Sequence, residues 1–337
     1  MSLRISVRIP PCVPAPELAD AAARCDELGY DGVWFPDSQV LWRDPYVTAA
    51  LALERTSRLR VGIAVSSLGT RHLSVLAGLH RTVAELAPDR FAMGLGTGSS
   101  STGTVGLPSA RTGELRTAIE VLRRLAGGAE HDFGSGPVRL EGHTELRGLF
   151  VAATGPRNLA LAGELADGVI VLNGSDPAAL RRSLAQVGEG EALRAPALAP
   201  LQRLMTSFCI PTDEPDRDAR LLKPVCVAMA HHLGAGPALA AAGVHVRDGE
   251  PAAPVYPDLV HAKDWPHAVA AVDHLVSDAD VLTFARKFCL FGSLPEIRAQ
   301  LDAMAAAGVH EVLLQHLGSF SVPYEWIDTC SELLVRG

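Results

Sequence analysis

The fold of this chain is decided by residues 59–99, which read LRVGIAVSSLGTRHLSVLAGLHRTVAELAPDRFAMGLGTGS. Arg60 to Val65 is short, apolar and rich in β-branched residues, as expected of a parallel strand buried on both faces. His72 to Ala87 carries apolar residues at helical spacing, which predicts an amphipathic helix that packs one stripe against a sheet. Pro88 ends that helix, and Arg90 to Leu95 is predicted as the next strand. The apolar stripe consists of Leu76, Leu79, Val83 and Leu86.

The two strands of this βαβ unit end in small or polar residues. Val65-Ser66-Ser67 closes the first strand, and Gly96-Thr97-Gly98-Ser99 follows the second. Because parallel strands share a direction, both ends lie at the same edge of the sheet, where α/β proteins bind their ligands. The sequence therefore predicts a binding site at this edge.

Composition limits the class of protein. The chain has 337 residues, of which 48% are hydrophobic and 20% charged, enough for one large α/β domain or two smaller ones. A net charge of −8 argues against nucleic acid or anionic lipid as a partner. The six cysteines lack CxxC spacing, which favours reduced thiols over a zinc site or a disulfide framework. No segment reaches the roughly 18 apolar residues of a membrane span, and the first residues do not resemble a signal peptide, so we expect a cytoplasmic protein.

Eight strand candidates alternate with predicted helices along most of the chain. This alternation, over a length typical of the fold, predicts an α/β protein of the (β/α)8 TIM-barrel class, with an open doubly wound sheet as the alternative. We expect a single domain, 1–337, with a loop or hairpin excursion at about 128–147 and an insertion near the site at about 213–277. The strand candidates are Ile5–Ile9, Asp31–Phe35, Arg60–Val65, Arg90–Leu95, Leu149–Ala153, Val169–Leu172, Leu201–Ile210 and Val309–Gln315.

Two glycine-containing turns are candidate ligand-binding elements. The run 94–99, GLGTGS, departs from the dinucleotide fingerprint because its sixth residue is Ser99 and because it follows the fourth strand. It forms either a tight turn or a place where the backbone comes close to a flat or phosphorylated ligand. The run 154–158, TGPRN, follows a strand and opens a helix. Its N–H groups are suited to holding a phosphate, with Arg157 adding charge, although an ordinary turn reads the same way.

A few other side chains are candidates for the site. Asp37 ends the second strand, where a barrel directs residues towards its active site, or it is a capping or ion-paired aspartate. Trp42 is either a wall of the site or a packed loop aromatic. His72, His80 and His316 share no spacing with carboxylates or cysteines, so we expect surface, capping or loop histidines and no metal site.

Taken together, these segments resemble the bacterial-luciferase-like superfamily of flavin and deazaflavin oxidoreductases. The order of the runs RDP (43–45), TRH (70–72), GLGTG (94–98) and AATGP (152–156) is most similar to its coenzyme F420-dependent branch, particularly to methylene-tetrahydromethanopterin reductase-like members. The matching segments cover more than a third of the chain, at 17–37, 43–67, 70–98, 151–172 and 292–314.

The resemblance implies a TIM barrel that carries F420 at the carboxyl ends of its strands. In that family the third strand ends in a bulge with a non-prolyl cis peptide that supports the deazaflavin ring, which we expect here at Ala64–Val65. Asp37 is expected to hydrogen-bond the polar edge of the ring. The lip, defined as Thr97, Gly98 and Ser99, is expected to approach the ring. The phosphate-bearing tail is expected to lie on Ala153, Thr154, Gly155 and Pro156.

Two positions depart from relatives that oxidise alcohols or sugar phosphates. Ser38 stands where those relatives have a histidine, and Ser99 stands where they have a carboxylate; neither serine is a general base without an activating partner. Trp42 stands where they keep a tryptophan. With Asp37, Ser38 and Trp42 as candidate catalytic residues, we expect a reductase that delivers hydride from reduced F420 to a C=C, C=N or C=O bond. Arg8, at the end of the first strand, either stabilises the developing charge or is structural.

Two other functions stay open at this point. One is an FMN-dependent monooxygenase of the same superfamily, which would use reduced flavin and oxygen. The other is a non-catalytic member that binds a flavin-like ligand. The resemblance also implies a homodimer formed through barrel helices and a small-molecule substrate.

Overall fold

The computed structural model describes residues 2–142 and 145–334, without the side chains of Ser99 and Ser100. The strands are β1 (Arg4–Arg8), β2 (Gly32–Phe35), β3 (Arg60–Ser67), β4 (Phe91–Gly96), β5 (His131–Asp132), β6 (Pro137–Val138), β7 (Leu149–Ala153), β8 (Gly168–Val171), β9 (Gln202–Pro211), β10 (Leu290–Gly292) and β11 (Glu311–Gln315). The helices are α1 (Ala15–Leu28), α2 (Pro45–Arg55), α3 (Leu73–Leu86), α4 (Ser99–Gly103), α5 (Thr112–Ala126), α6 (Pro156–Leu165), α7 (Pro177–Glu191), α8 (Pro215–Asp218), α9 (Lys223–His231), α10 (Gly236–Ala241), α11 (Trp265–Val272), α12 (Asp278–Phe288), α13 (Leu294–Ala306) and α14 (Tyr324–Ser331). Two short 3₁₀ helices lie at Ala219–Leu222 and Glu332–Leu334.

Eight of these strands form a closed parallel barrel. The hydrogen-bonded order is β1-β2-β3-β4-β7-β8-β9-β11, and β11 pairs again with β1, from Arg4 opposite Glu311 to Arg8 opposite Gln315. Closure confirms the predicted TIM barrel and rules out the open doubly wound sheet. All eight strand candidates belong to this ring, with ends that lie within about two residues of the prediction.

The sequence did not reveal α12 and β10. β10 lies beside the end of β9, with Leu290 opposite Cys209, and so extends the sheet outside the ring. Its three residues are too few to show a hydrophobic period, which is why the pattern gave no signal.

The two departures from the βα alternation differ in character. Within 128–147, β5 and β6 form an antiparallel hairpin, while His143 and Thr144 lie outside the described residues. The segment 213–277 folds into α8 to α11 and packs a second apolar core together with α12. In that core Phe284 stacks on Phe288 with ring centroids 5.5 Å apart.

Helix α3 differs in detail from its predicted stripe. Leu76 and Val83 are buried as expected, but Leu86 is 45% exposed. His80 takes a core position instead, only 2% exposed, with Nε2 2.9 Å from the carbonyl oxygen of Arg147. The prediction that His80 is a surface, capping or loop residue was therefore wrong. Its imidazole satisfies a backbone group inside the core, and burial lowers its pKa.

The cysteines are consistent with the prediction of reduced thiols. All six are free, and all but Cys12 are buried. Burial raises the pKa of Cys25 and of Cys226 to about 12, so both thiols stay protonated at neutral pH. None of the helices in the described ranges is long and apolar enough to cross a membrane.

The interior of the barrel is filled by a layer of apolar side chains, one from each of seven strands. Trp34 and Phe150 meet edge to face at 5.4 Å between ring centroids. Gly62 and Gly168 make room for these rings, because a Cβ atom at either glycine would overlap the neighbouring ring. The layer consists of Trp34, Ala64, Ala92, Phe150, Ile170, Leu204 and Leu313.

A buried carboxylate lies beneath this layer, at the amino-terminal end of the barrel. Glu311 is fully buried and accepts hydrogen bonds from Arg4 Nε at 3.1 Å, Ser6 Oγ at 2.7 Å, Trp34 Nε1 at 3.0 Å and Arg60 Nη1 at 3.1 Å. These donors come from β1, β2 and β3, so one side chain of β11 connects four strands. The two guanidinium groups balance its charge, which makes burial of the carboxylate tolerable.

Replacing Glu311 by glutamine tests this network. The E311Q variant keeps the shape but removes the charge that balances Arg4 and Arg60, and we expect the free energy of unfolding to fall by about 3 kcal/mol. Urea denaturation followed by circular dichroism measures the loss. The matched control is Glu325→Gln on the exposed face of α14, for which a change below about 0.5 kcal/mol is expected. Equal effects of the two substitutions would contradict the role given to Glu311.

Candidate functional site

The candidate site residues predicted from the sequence lie at or just after the carboxyl ends of β2, β3, β4 and β7. The pairing of β3 with β4 shifts register between Ile63 and Ser66, which marks a bulge. The peptide bond between Ala64 and Val65, inside this bulge, is cis, as the family resemblance predicted. Beyond it Ser67 lies opposite Gly96, so the ends of the two strands are adjacent.

The glycines of β4 make room for the bulge. A Cβ atom at Gly94 would lie 2.6 Å from Val65 Cγ1, and one at Gly96 would lie 2.6 Å from Val65 Cγ2. Gly98 has a different task, since its φ of +86° favours glycine and a Cβ atom there would overlap Ser67 Oγ. Two of the three glycines in the run therefore hold Val65 in place, and only Gly98 belongs to the lip.

Substitution of Gly96 tests this steric argument. In the G96A variant the added methyl group collides with Val65, and we expect the free energy of unfolding to fall by about 1–3 kcal/mol. Gly78→Ala is the matched control, because Gly78 lies inside α3 with nothing near its Cβ position and alanine favours a helix by up to about 1 kcal/mol. The double variant Val65→Ala/Gly96→Ala removes the collision, so its loss should be smaller than the sum of the two single losses. Additive losses would mean that the two residues do not compete for space.

Asp37 is the centre of a buried polar cluster next to the bulge. It is 3% exposed and accepts hydrogen bonds from Ser66 Oγ at 2.7 Å and from Arg71 Nε at 2.6 Å, both at Oδ2. Arg71 Nη2 reaches Asp37 Oδ1 at 3.0 Å, which completes a bidentate pair. Tyr46 OH lies 2.9 Å from Ser66 Oγ and serves as donor, because Ser66 already donates to Asp37. The Asp37 carboxylate is thus ion-paired, and Oδ1 keeps capacity for one further donor.

Arg71 connects this cluster to the start of helix α2. Its Nη2 also contacts Asp44 Oδ2 at 2.7 Å, while Asp44 Oδ1 accepts from the backbone of Tyr46 at the start of α2. Burial opposes the charge, but the hydrogen bonds and charges of Asp37 and Asp44 raise the pKa of Arg71. The sequence contained Arg71 in the run TRH but gave no sign that it pairs with a residue 34 positions earlier.

A double-mutant cycle on Arg71 and Asp37 tests the pair. Arg71→Met leaves a buried carboxylate without its cation, and we expect about 3 kcal/mol of destabilisation. Adding Asp37→Asn should recover more than half of that loss, because the uncompensated charge is removed. Arg24→Met, in the exposed pair with Asp328, is the control and should cost less than about 1 kcal/mol. Failure of Asp37→Asn to recover stability would contradict a buried ion pair.

Ser38 and Trp42 are both buried in the loop that follows β2. The carbonyl oxygen of Ser38 accepts from the backbone N–H of Trp42 at 3.0 Å, so the two residues form one turn. Trp42 Nε1 donates to the carbonyl oxygen of Ser319, in the loop after β11, at 2.9 Å. The indole also meets the ring of His261 edge to face, with centroids 5.2 Å apart. His261 comes from the segment 213–277, and sequence reasoning missed it because nothing local relates it to Trp42.

Arg8 lies at the mouth of the barrel. On β1, Arg4, Ser6 and Arg8 alternate towards the interior, and Arg8 Nε donates to the carbonyl oxygen of Ala64 at 3.3 Å. Among the described residues no carboxylate forms an ion pair with Arg8. Burial lowers its pKa to about 10, which leaves it a cation at neutral pH.

The expected tail-binding residues follow β7, the neighbour of β4 in the barrel. Gly155 is the N-cap of α6 and Pro156 opens that helix, so free backbone N–H groups point away from its start. The carbonyl oxygen of Thr154 accepts from Asn173 Nδ2 at 3.0 Å, which ties this turn to the loop after β8. Arg157 is exposed beside them. This turn is therefore compatible with an anion at the helix start.

The remaining candidates from the sequence are the residues of the lip and two histidines. Gly98 lies next to Ser67, and α4 begins at Ser99, whose side chain lies outside the described part of the structure. His72 caps α3, accepting from the backbone of Ser74, and His316 lies in the loop after β11 with Nδ1 bonded to a backbone N–H. In the ranges that the structure describes, no three His, Cys, Asp or Glu side chains come together as a metal site.

The fold defines a TIM-barrel protein whose bulged third strand and lip lie at the carboxyl ends of the barrel strands. A family model described as luciferase-like monooxygenase matches residues 4–311, and the chain belongs to this family. Membership confirms the resemblance that the sequence segments indicated.

Two curated relatives are named as a reductase and as an F420-dependent dehydrogenase. The chain is 27% identical over 206 residues to the 5,10-methylenetetrahydromethanopterin reductase of Methanolobus tindarius, which covers 56% of this chain and 59% of that protein. It is 31% identical over 180 residues to an F420-dependent glucose-6-phosphate dehydrogenase of Intrasporangium calvum, covering 47% and 54%. The chain thus spans little more than half the length of these relatives.

Solved structures share the whole fold. The coenzyme F420 dependent tetrahydromethanopterin reductase from Methanopyrus kandleri superposes with a TM-score of 0.76 at 18% identity, covering 98% of both chains. The oxygenating constituent of 3,6-diketocamphane monooxygenase from Pseudomonas putida, in complex with FMN, superposes with a TM-score of 0.64 at 15% identity, covering 99% and 97%. At these identities the likeness concerns the fold.

Proposed function

We propose that this protein is an F420-dependent oxidoreductase that reduces a small organic substrate. The observation that carries the proposal is the bulge at the end of β3, which lies between the Asp37 cluster and the lip. Backbone rather than long side chains forms this part of the site, which would let a planar ring come close to it. The name of the F420-dependent relative from Intrasporangium calvum supports a deazaflavin as that ring.

The residues at the mouth fit such a cofactor. Gly98 lets the lip pack directly against Ser67 at the end of β3, and the start of α6 at Gly155 offers N–H groups for a phosphate. Asp37 Oδ1 retains capacity to accept a hydrogen bond from a ring N–H group. When bound, the deazaflavin would supply a hydride.

Arg8 would provide the positive charge of the site. It is a cation without a carboxylate partner among the described residues, and it is fixed to the bulge through Ala64. An anionic ring edge or a developing oxyanion would be stabilised by this guanidinium, since a buried charge without a partner favours binding of the opposite charge. We therefore assign Arg8 a functional role.

Titration of the purified protein with F420 and with FMN, followed by fluorescence, tests the proposal. We expect saturable binding of F420 and at least tenfold weaker binding of FMN, a difference of about 1.4 kcal/mol. Reduced F420 should then be oxidised when simple ketones, aldehydes, cyclic imines or enones are added. Tight binding of FMN with consumption of oxygen would instead support a monooxygenase, and binding of neither cofactor would support a non-catalytic member.

The lip provides a specific variant for this experiment. Gly98→Ala strains a left-handed backbone and overlaps Ser67, so we expect at least tenfold weaker F420 binding. Gly106→Ala is the matched control, because Gly106 has a similar φ of +70° but open space at its Cβ position. Circular dichroism checks that both variants are folded. Unchanged F420 affinity of a folded G98A variant would contradict the placement of the ring at the lip.

A further inference from the structure

We propose that Asp258 and His261 form the proton-transferring pair of the active site, and that the substrate is a polar double bond, C=O or C=N, whose heteroatom receives the proton from His261 Nε2. This inference rests on the proposed function. It names a residue for a task that Ser38 and Ser99 are unsuited to perform, since a serine hydroxyl needs an activating partner.

The geometry of the pair is that of an oriented imidazole. Asp258 Oδ2 lies 2.9 Å from His261 Nδ1, so the carboxylate holds a proton on that nitrogen. Asp258 Oδ1 accepts from the backbone N–H groups of Val260 and His261, both at 2.8 Å. These backbone bonds fix the carboxylate, which in turn fixes the ring.

The second ring nitrogen is left free for chemistry. Within the described ranges, Nε2 of His261 has no hydrogen-bond partner. The atom is nevertheless not completely buried. It therefore keeps access to solvent although the residue as a whole is only 8% exposed. Two groups contact the imidazole of His261: the carboxylate of Asp258, which is ionisable, and the indole of Trp42, which is uncharged.

The position of the ring relates it to the site. His261 packs on Trp42, and Trp42 shares a turn with Ser38 in the loop after β2. Trp42 is also anchored to Ser319 in the loop after β11. The segment 213–277 therefore brings an imidazole to the same end of the barrel as the bulge.

Other histidines of this region are engaged elsewhere. His316 Nδ1 accepts from the backbone of Gly318, and His267 Nε2 lies 3.0 Å from the carbonyl oxygen of Pro254. Neither has a carboxylate partner in the described residues. His261 alone among these three combines an orienting carboxylate with a free nitrogen.

Asp258 is suited to stay ionised. Although burial opposes ionisation, the hydrogen bond and charge of His261 and the two backbone N–H groups lower the pKa of Asp258. An ionised partner holds the ring in the tautomer that leaves Nε2 to exchange a proton with the substrate.

In the proposed reduction, the carbon of the double bond receives a hydride and its heteroatom receives a proton. The substrate carbon receives a hydride from the reduced deazaflavin, the π bond breaks, and its electron pair moves to the oxygen or nitrogen. That heteroatom takes the proton of Nε2 from the imidazolium form of His261, which becomes neutral and is reprotonated from solvent. The substrate is reduced by two electrons and the deazaflavin is oxidised by two. In the reverse direction neutral His261 is the base that accepts the proton of an alcohol or amine.

The first test is nuclear magnetic resonance of protein labelled with ¹⁵N-histidine, the His261 signal being assigned with His261→Gln. We expect neutral His261 to carry its proton on Nδ1 and its resonance to shift when F420 is added. Asp258→Asn should populate the Nε2–H tautomer, because Oδ1 is occupied by backbone donors and the new amide group would face Nδ1. Asp264→Asn, at the cap of α11, is the matched control and should leave the tautomer unchanged.

The second test is the rate at which reduced F420 is oxidised by the ketone or cyclic imine that the protein reduces fastest. In His261→Gln we expect a fall of at least about 100-fold, with the F420 dissociation constant within about twofold. His267→Gln, on an exposed histidine of the same segment, should leave both unchanged.

The outcomes separate the two proposals. Loss of F420 binding in the unaltered protein would overturn the proposed function. Normal F420 binding with a full rate in His261→Gln, an Nε2–H tautomer in the unaltered protein, or a His261 resonance that ignores F420 would overturn the proton-transfer role. Bound reduced F420 that none of the ketones, aldehydes or imines oxidises would overturn the substrate class.

Discussion

The structure depends on how the barrel neutralises one buried carboxylate. Glu311 has no contact with solvent, and its charge is balanced by Arg4 and Arg60 from strands on either side of β2. Gln202 accepts from both arginines, at 2.9 and 3.0 Å, and so adds β9 to the same network. Burial of this carboxylate therefore depends on closure of the barrel, because β1, β2, β3, β9 and β11, five strands in all, must be in register for Glu311 to keep its hydrogen bonds and ion pairs. The indole of Trp34, held by Glu311, then forms the floor on which Gly62 and the bulge lie.

The opposite end of the barrel treats charge differently. Asp37 is neutralised by Arg71, so this carboxylate organises the loops after β2 and β3. Arg8 receives no such partner among the described residues and stays a cation at the mouth. At the amino-terminal end the charge of Glu311 is thus balanced by arginines. The carboxyl end instead retains the positive charge of Arg8 and the backbone donors at the start of α6. An asymmetry of this kind is what a barrel that binds an anionic ligand at one end requires.

The parts of the fold that follow from local patterns were predictable, and the parts that follow from long-range contacts were not. Strand identity depends on runs of apolar residues, and the cis bond at Ala64–Val65 followed from matching the third strand to a known family. The pairing of Arg71 with Asp37 joins two loops, and the contact of His261 with Trp42 joins residues more than 200 positions apart, so neither leaves a periodic trace. Burial of His80 was not predictable, because a histidine in an apolar stripe is accommodated only through its backbone partner, the carbonyl oxygen of Arg147. The roles of Ser38, Trp42 and the tail-binding turn stay predictions.

The fit between Val65 and the two glycines opposite it has a consequence for how variation in this region is interpreted. Positions 94 and 96 exclude larger residues because a neighbouring strand occupies the space, whatever the ligand. A survey of tolerated substitutions would therefore score both glycines as indispensable even in a barrel that has lost its chemistry. The exclusion of larger residues at positions 94 and 96 is caused by the shape of the third strand, and ligand binding is not its cause. At position 98 the obstacles are the side chains of Ser67 and Thr102 together with a positive φ, so intolerance there reports on how the lip packs against the end of β3.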